Sequence, residues 1–549
     1  MSRSRTHHSN FMRGHWKTFC VFVSLLCGAK LGAQILPPLP ENSQRLSETP
    51  RLFVKEFQFE GNTVFDNAEL AISVETFTNR ELTTEELEQA RRTVSLHYVN
   101  HGYINSGAIV PDQDPSDGII RMRIVEGVLT ETELQGNRWL RDGYIKSHLK
   151  RWSGAPLNIN KLQEGLQLLR HNPNVEQINA ELKPGTSPGE SLLDLKVDDR
   201  QPFRFGLQVD NQRPPSVGEE QVWLLASDLS LTGNSDPLNL SYGLLKSDSD
   251  GYEFSGWDNL EANYSFPIAR YGTTLGVAGS REDTRLIEET FADLDIKSLT
   301  TSLGVNVRQP IYQTANDEAA LSLGFDYRKN RSWLLDERFS LSPGADQGEM
   351  IVSVLRFSQD WLTRGQSHVL AFRSTFSFGM DALDATDIGQ PNATFFHWVG
   401  QGQYVQRLFN TQNELVLRAA GQWTAEPLLA LEQFSVGGFD TVRGYYENQM
   451  VRDRGFYSSV EFRLPLLFNK AGAGILHVAP FFDLGGAWNV DNSPDPTTIS
   501  STGVGLLFSP NKYGSAQVYW GYRLRDVDEP EDARAQAAGI GFKVNINFF

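Results

Sequence analysis

From residue 203 to the C-terminus, the chain is divided into short segments in which apolar and polar residues alternate. Alternation with a period of two is typical of a β-strand, because successive side chains point to opposite faces. In the last segment, an apolar set alternates with a polar one: Ile540, Phe542, Val544, Ile546 and Phe548 against Gly541, Lys543, Asn545 and Asn547. The chain from here on therefore consists of strands with one apolar face.

About sixteen such segments have roughly the 9–11 residues that a tilted strand needs to cross a bilayer. They begin near residues 203, 221, 238, 258, 272, 297, 319, 350, 367, 393, 412, 456, 475, 500, 515 and 538. An apolar outer face and a polar inner face are typical of strands in a membrane barrel. The pattern predicts a transmembrane antiparallel β-barrel of about sixteen strands over residues 201–549.

Residues 52–127 have a mixed pattern with the order β-α-α-β-β. Alternating residues predict an opening strand that carries Phe53, Lys55, Phe57 and Phe59 and ends at Gly61-Asn62. Thr83 and Glu86 have the spacing of a capping box and predict the start of a helix. Two further strands are predicted at Ile104–Pro111 and Ile119–Val125.

Residues 128–200 repeat this pattern, with Gly136-Asn137 in the position of the earlier Gly-Asn turn. The predicted elements are strand Thr130–Gln135, helix Asn160–Arg170, and strands Val175–Leu182 and Ser191–Val197. The sequence therefore predicts two α+β modules ahead of the barrel.

The first 33 residues have the features of a secretory signal. They carry five basic and no acidic residues, an apolar core at Thr18–Gly28, and the small-residue cleavage site Leu31-Gly32-Ala33. A lipoprotein signal at Cys27 is an alternative that the bulky Leu26 disfavours. Both cysteines of the sequence lie in this segment, so we expect no disulfide or thiolate site in the mature chain. Residues 34–51 contain four prolines and predict an extended linker.

The amino-acid composition does not alter the prediction of a membrane barrel. A hydrophobic fraction of 40% and a mean hydropathy of −0.36 would usually suggest a soluble protein. A β-barrel conceals its apolar face from such averages because polar residues alternate with apolar ones. The formal net charge is −17, and it is −22 without the first 33 residues. Nucleic acid is therefore excluded as an expected partner, since it requires a basic surface.

Two short motifs suggest a specific contact inside the barrel. Val442-Arg443-Gly444-Tyr445 lies in a long connection, Glu426 to Gly455, between two predicted strands. On the strand near residue 481, one face carries Phe481, Asp483 and Gly485, while the opposite face is apolar. Asp483 should therefore point into the lumen. A connection folded into that lumen would allow Arg443 to bind the carboxylate through two hydrogen bonds.

The two motifs carry a resemblance. Val442-Arg443-Gly444-Tyr445 resembles the tip of the inward-folded sixth extracellular loop of two-partner secretion transporters of the haemolysin secretion/activation (ShlB) type and of related outer-membrane insertases. Phe481-x-Asp483-x-Gly485 resembles the inner-wall motif that binds this tip. The two modules resemble polypeptide-transport-associated (POTRA) repeats at 52–127 and 128–200, and two is the number typical of two-partner secretion. The linker is too short for the plug helix that these transporters often have.

The C-terminal residues Phe548 and Phe549 resemble the assembly signal of outer-membrane barrels. The alternation places Phe548 on the lipid side, so Phe549 is one position out of register with the usual signal. The resemblance implies a barrel that the assembly machinery inserts into the outer membrane of a Gram-negative-type bacterium, with its modules in the periplasm.

The implied function is export of an unfolded exoprotein that the modules capture in the periplasm. An outer-membrane protein insertase is the alternative that the modules also fit, and a passive solute porin is a third. We expect no enzyme activity, no cofactor and no metal. Gly185-Thr186-Ser187-Pro188-Gly189 matches the G-x-S-x-G pattern of hydrolases, but it lies in a turn between predicted strands and lacks the helix that the motif requires. An acidic loop at 526–532 is best explained as a solvated turn rather than a calcium site.

Overall fold

A computed structural model of the chain describes residue 46 and residues 51–245, 258–268, 272–288, 291–409, 411–528, 530 and 533–548. The predicted signal and most of the predicted linker lie outside the described residues. So do Phe549 and three of the five acidic residues at 526–532.

The first module contains five strands and two helices: β1 (Arg51–Val54), β2 (Glu56–Glu60), α1 (Asn67–Ser73), β3 (Arg80–Thr83), α2 (Thr84–Asn100), β4 (Gly107–Ile109) and β5 (Ile119–Val125). The main sheet has the order β2-β5-β4, and β1 pairs with β3. Helix α2 packs on the sheet through a buried stripe, Leu87, Ala90, Val94 and Tyr98. The predicted capping box is present, because Thr83 and Glu86 exchange hydrogen bonds at the start of α2.

The prediction of one opening strand in this module was wrong. Leu52 and Val54 are buried in β1, whereas Phe57 and Phe59 are buried in β2, so the buried face changes parity at Lys55. The backbone N–H of Lys55 donates to Gly118 O (2.7 Å) at this break. β3 was not predicted, and β4 is shorter than the predicted strand because Ile104–Ser106 form turn structure instead.

The second module contains β6 (Val128–Gln135), α3 (Asp142–Trp152), α4 (Ile159–Arg170), β7 (Val175–Pro184) and β8 (Glu190–Asp199), with sheet order β6-β8-β7. The repeated β-α-α-β-β order implies a helix before Asn160–Arg170, but the position of α3 was not predicted. Helix α3 buries two residues, Ile145 and Leu149, and its N-cap Arg141 makes no side-chain capping bond, so its sequence carries little helical signal.

The remaining strands include sixteen that form a closed barrel, which confirms the predicted architecture. These are β9 (Phe203–Asp210), β10 (Gln221–Asp228), β11 (Leu238–Leu245), β12 (Asp258–Pro267), β13 (Thr274–Arg285), β14 (Lys297–Gln313), β15 (Asp317–Leu334), β17 (Glu349–Arg364), β18 (His368–Met380), β19 (Phe396–Leu408), β20 (Asn413–Thr424), β23 (Arg454–Phe468), β24 (Gly474–Trp488), β25 (Thr498–Asn511), β26 (Gly514–Arg523) and β27 (Ile540–Asn547). Three short strands accompany them: β16 (Glu337–Arg338), β21 (Phe434–Val436) and β22 (Met450–Arg452).

The barrel closes where β27 pairs with β9, from Lys543 opposite Asp210 to Asn547 opposite Gly206. Each barrel strand begins within three residues of its predicted position. Several strands are longer than the predicted 9–11 residues, with 18 residues in β15. Among the described helices, none combines the length and apolar character that a bilayer crossing requires.

The second module contacts the barrel at the turn between β10 and β11. The backbone N–H of Arg141 donates to Gly233 O (2.8 Å), and Asn174 Nδ2 donates to Leu229 O (2.9 Å). The rings of Trp139 and Phe203 meet edge to face at 5.6 Å. These contacts place the modules at the barrel end where β9 begins, while the connection between β20 and β23 lies at the other end.

Candidate functional site: a loop bound inside the barrel

The connection from β20 to β23, residues 425–453, folds back into the barrel and is called the inner loop below. Its hairpin, β21 with β22, packs against the inner face of the wall. Val436, Val442 and Tyr445 of the loop form one buried cluster with Ala487 and Ile499 of the wall side. The inner loop therefore occupies lumen space next to β23–β26.

Two glycines allow the loop to approach the wall this closely. A Cβ at Gly485 would lie 2.8 Å from Val442 Cγ2, so any larger residue would push the loop away. Gly444 has φ +89°, a conformation that glycine adopts without strain, and a Cβ there would lie 2.6 Å from Gly521 O. The glycine of each motif, Gly444 in the loop and Gly485 in the wall, thus lies where the loop contacts the wall.

Arg443 at the loop tip contacts Asp483 through two parallel side-chain hydrogen bonds. Arg443 Nε donates to Asp483 Oδ2 (2.8 Å), and Arg443 Nη2 donates to Asp483 Oδ1 (2.9 Å). The backbone N–H of Arg443 also donates to Oδ2 (3.0 Å). The Arg443 side chain is 2% exposed and that of Asp483 is 0% exposed, so water does not screen the pair.

The wall supplies further partners for the same guanidinium. Arg443 Nη1 donates to Glu461, and Nη2 also donates to Ser459 Oγ (2.9 Å). The guanidinium lies 3.7 Å from the Phe481 ring centroid and 4.6 Å from that of Tyr519, as in cation–π contacts. Strands β23, β24 and β26 therefore enclose one cation with two carboxylates and two aromatic rings.

Glu461 and Arg463 lie on β23, and neither belongs to the two motifs that predicted the site. Glu461 is fully buried and is shared between Arg443 and Arg463, whose Nε donates to Glu461 Oε1 (2.7 Å). Tyr519 was missed as well, although its OH donates to Glu461 Oε2 (3.1 Å). The sequence did carry a signal for Glu461 and Tyr519, because alternation along each strand places both side chains on the lumen side.

Tyr445 and its neighbour Gly444 connect the tip to strands β25 and β26 and to the connection that follows β26. Tyr445 OH lies within hydrogen-bond distance of both Ser500 O (3.0 Å) and Arg525 O (2.9 Å). Arg523 Nε donates to Gly444 O (2.5 Å). All four residues of Val442–Tyr445 are thus in contact with the wall or with its connecting turns.

The other predicted features lie elsewhere. Phe548 is 58% exposed on the outer face, and its backbone N–H donates to Phe205 O (2.9 Å). Ser187 lies in the tight turn between β7 and β8, where Gly185 and Glu190 are paired by a backbone hydrogen bond. Among the described residues, no group of three or more His, Cys, Asp or Glu side chains could hold a metal ion.

Comparison with known proteins decides the family. The family described as haemolysin secretion/activation protein ShlB/FhaC/HecB matches residues 189–508, more than half of the chain. The chain belongs to this family. A ShlB-type POTRA domain matches residues 52–127. The resemblance to this family is therefore confirmed, and the protein lies in the bacterial outer membrane with periplasmic POTRA modules.

Curated relatives align along most of their length with this member of the haemolysin secretion/activation family. The outer membrane transporter CdiB of Dickeya dadantii is 25% identical over 529 residues, which cover 93% of this chain and 89% of the relative. The heme/hemopexin transporter protein HuxB of Haemophilus influenzae is 23% identical, and the alignment covers 80% of this chain and 78% of the relative.

Solved structures agree on the fold. CdiB from Escherichia coli superimposes with a TM-score of 0.69 at 21% identity, covering 94% of this chain and 93% of that one. BamA from Haemophilus ducreyi, lacking POTRA domains 1–3, superimposes with a TM-score of 0.53 at 13% identity, covering 91% and 100%. This chain thus shares its fold with both proteins.

Proposed function

We propose that the protein is the outer-membrane pore of a two-partner secretion system, which exports an unfolded exoprotein from the periplasm to the cell surface. The observation that carries this is the inner loop, which lies in the lumen with Arg443 bound to Asp483 and Glu461. A passive porin needs a steadily open lumen. A loop whose tip is held by buried ion pairs suits a pore that opens for its cargo.

The two modules are proposed to capture the cargo before it enters the barrel. Within the described chain, β7 pairs on one side with β8, and β2 pairs on one side with β5, so both sheets have free edges. Free strand edges present backbone groups to which an extended peptide can add as a further strand. This mode of binding suits an unfolded chain, since it recognises backbone more than sequence.

The remaining predictions belong to the same proposal. Residues 1–33 direct the chain to the periplasm, where the barrel-assembly machinery recognises its C-terminal aromatic end, and the apolar outer face contacts lipid. Transport needs no catalytic step by this chain. The free energy for export comes from folding of the cargo outside the cell.

The test is secretion in a strain that lacks the protein and still makes the candidate exoprotein. Wild-type protein should restore exoprotein in the medium, whereas a variant without residues 52–127 should insert and conduct ions but fail to export. Normal export in the deletion strain would overturn the proposal. A general loss of other outer-membrane proteins on depletion would instead support an insertase.

A further inference from the structure

A second buried ionic cluster holds the inner loop at its root, where the loop leaves β20. Glu432 lies in a short 3-10 turn, and its side chain is 2% exposed. Its carboxylate accepts hydrogen bonds from Arg356 Nη2 (2.8 and 3.0 Å) and contacts His397 Nε2 (2.9 Å). Arg328 Nη1 lies 3.4 Å from Glu432 Oε1.

The wall residues that meet Glu432 are themselves fixed. Arg356 Nε donates to Asp326 Oδ2 (2.5 Å), and Arg356 Nη1 donates to Ser377 Oγ (2.7 Å). Arg328 Nη1 also donates to Leu431 O (2.9 Å), the residue before Glu432. The root cluster therefore involves β15, β17, β18 and β19.

The root and tip clusters share no residue and have opposite polarity. At the tip, the loop supplies the cation and β23 and β24 supply carboxylates. At the root, the loop supplies the carboxylate and β15 and β17 supply cations. Since the two clusters bind different sectors of the wall, the inner loop crosses the lumen with each end held separately.

The root also packs against apolar residues of the wall and of an extracellular connection. Leu428 and Leu429, at 1% and 0% exposure, pack with Met350, Ala393 and Phe395, so strand β17 and the connection after β18 cover them. Beside Leu431, a cavity of about 520 Å³ is also lined by Arg328 and Asp326, together with largely polar residues of β12–β14. The root thus contacts an extracellular connection through Leu428 and Leu429 and the polar lumen space through Leu431.

We propose that Glu432 is a second anchor of the inner loop, a positioning residue that keeps the root across the lumen. Opening the path for an exoprotein then requires release of Glu432 from Arg356 and His397 as well as release of Arg443. This inference rests on the proposed function, because it names the contacts that hold the loop in the lumen of the export pore before cargo passes.

Two buried positions can report separately on the two anchors. Leu429→Cys is called the root reporter and Val442→Cys the tip reporter, and both native side chains are 0% exposed. In both backgrounds Cys20 and Cys27 are replaced by serine, so the reporter thiol is the single thiol of the chain. Intact cells are then treated with a membrane-impermeant maleimide, which labels a reporter only when its part of the loop is released.

Each reporter is combined with one of three changes in the inner loop. Glu432→Gln perturbs the root, Arg443→Ala perturbs the tip, and Asp440→Asn is the matched control, because it changes an exposed carboxylate of the same loop. Glu432→Gln should raise labelling of the root reporter by roughly tenfold or more, because loss of the charge leaves Arg356 and Arg328 partly uncompensated in a buried site.

Labelling of the tip reporter should change much less in Glu432→Gln. Arg443→Ala should give the reverse pattern, and Asp440→Asn should match the parent for both reporters. Labelling of the root reporter that is unchanged by Glu432→Gln would overturn the second anchor.

Folding of each variant is checked by the heat-modifiable mobility of the barrel. If Glu432→Gln does not fold, Arg356→Lys replaces it. The lysine keeps the charge, but its single nitrogen cannot reproduce the contacts that the guanidinium makes with Asp326, Ser377 and Glu432. Labelling of the root reporter should therefore still rise, and its failure to rise overturns the inference equally. Normal export in the deletion strain would overturn the proposed function whatever the labels show.

Discussion

Replacing Arg443 by alanine removes the single group that joins the loop tip to two carboxylates. Glu461 retains Arg463 and Tyr519 as partners after this change. For the Asp483 carboxylate, all three hydrogen bonds found among the described residues come from Arg443. Arg443→Ala therefore leaves one fully buried carboxylate without a cation.

The magnitude follows from these contacts. Leaving one buried charge unpaired costs about 3–5 kcal/mol, and losing the contact with the Phe481 and Tyr519 rings adds roughly 0.5–2 kcal/mol. Every 1.4 kcal/mol is about a factor of ten in an equilibrium. Even the lower limit thus shifts the ratio of bound to released tip by more than about 100-fold, and we expect export to fall accordingly.

Asp483→Ala should be milder, because Arg443 keeps Glu461, Ser459 and both rings. The double variant Arg443→Ala/Asp483→Ala should be no worse than Arg443→Ala alone, since the stranded carboxylate is gone. Contacting residues depart from additivity in this way. Arg443→Lys should be intermediate, because an ammonium group cannot reproduce the planar pairing with Asp483 while also binding Glu461.

The assay is exoprotein in the medium, normalised to folded barrel by heat-modifiable mobility, with Asp440→Asn as the control for a charge change in the loop. Strictly additive defects in the double variant would show that Arg443 and Asp483 are not coupled. A defect in Asp483→Ala as severe as that of Arg443→Ala would show that Glu461 contributes nothing to the tip.

Three further predictions concern other parts of the chain. Gly444→Ala should release the tip and raise maleimide labelling of the tip reporter, because its φ is positive and its Cβ would collide with Gly521; labelling equal to the parent would contradict this. Burial alone would raise the pKa of Glu126, but hydrogen bonds from Thr63 and neighbouring groups outweigh it and hold the pKa below the ordinary 4.5. The stability that this carboxylate contributes is therefore present above pH 4.5 and is lost as pH falls through the lowered pKa. Hydrogen exchange of the first module should accelerate as pH falls through that range. The acceleration should depend less steeply on pH in Glu126→Gln. Asn174→Ala should weaken the contact of the second module with the barrel turn and reduce export without changing barrel folding, and unchanged export would show that the contact is dispensable.

Much of the architecture was predictable from the sequence, because the period of two is a local property. The residue pattern located the sixteen barrel strands, although the segments near residues 272 and 350 alternate poorly, and regular alternation separated the lumen face from the lipid face. On β24 this placed Phe481 and Asp483 inward, where they are 4% and 0% exposed, and left Phe482 outward at 46%. The capping box at Thr83 was equally visible, since both of its partners lie within one helical turn.

Local pattern failed where the local signal was weak or interrupted. The break at Lys55 came from a change in which residues are buried, and the sheet pairings of β1 and β2 determine that change. Helix α3 has two buried residues and no side-chain cap, so its helical conformation depends on packing against α4 and the second-module core.

The partners of the inner loop were decided by the tertiary structure. The resemblance to the family paired Arg443 with Asp483, but the contribution of Glu461, Tyr519 and Glu432 follows from the order in which strands close the barrel. Periodicity determines which face a side chain occupies. It does not determine where around the wall that face lies or how deeply a loop enters, because barrel closure brings together strands that are distant in sequence, such as β17 and the root of the inner loop.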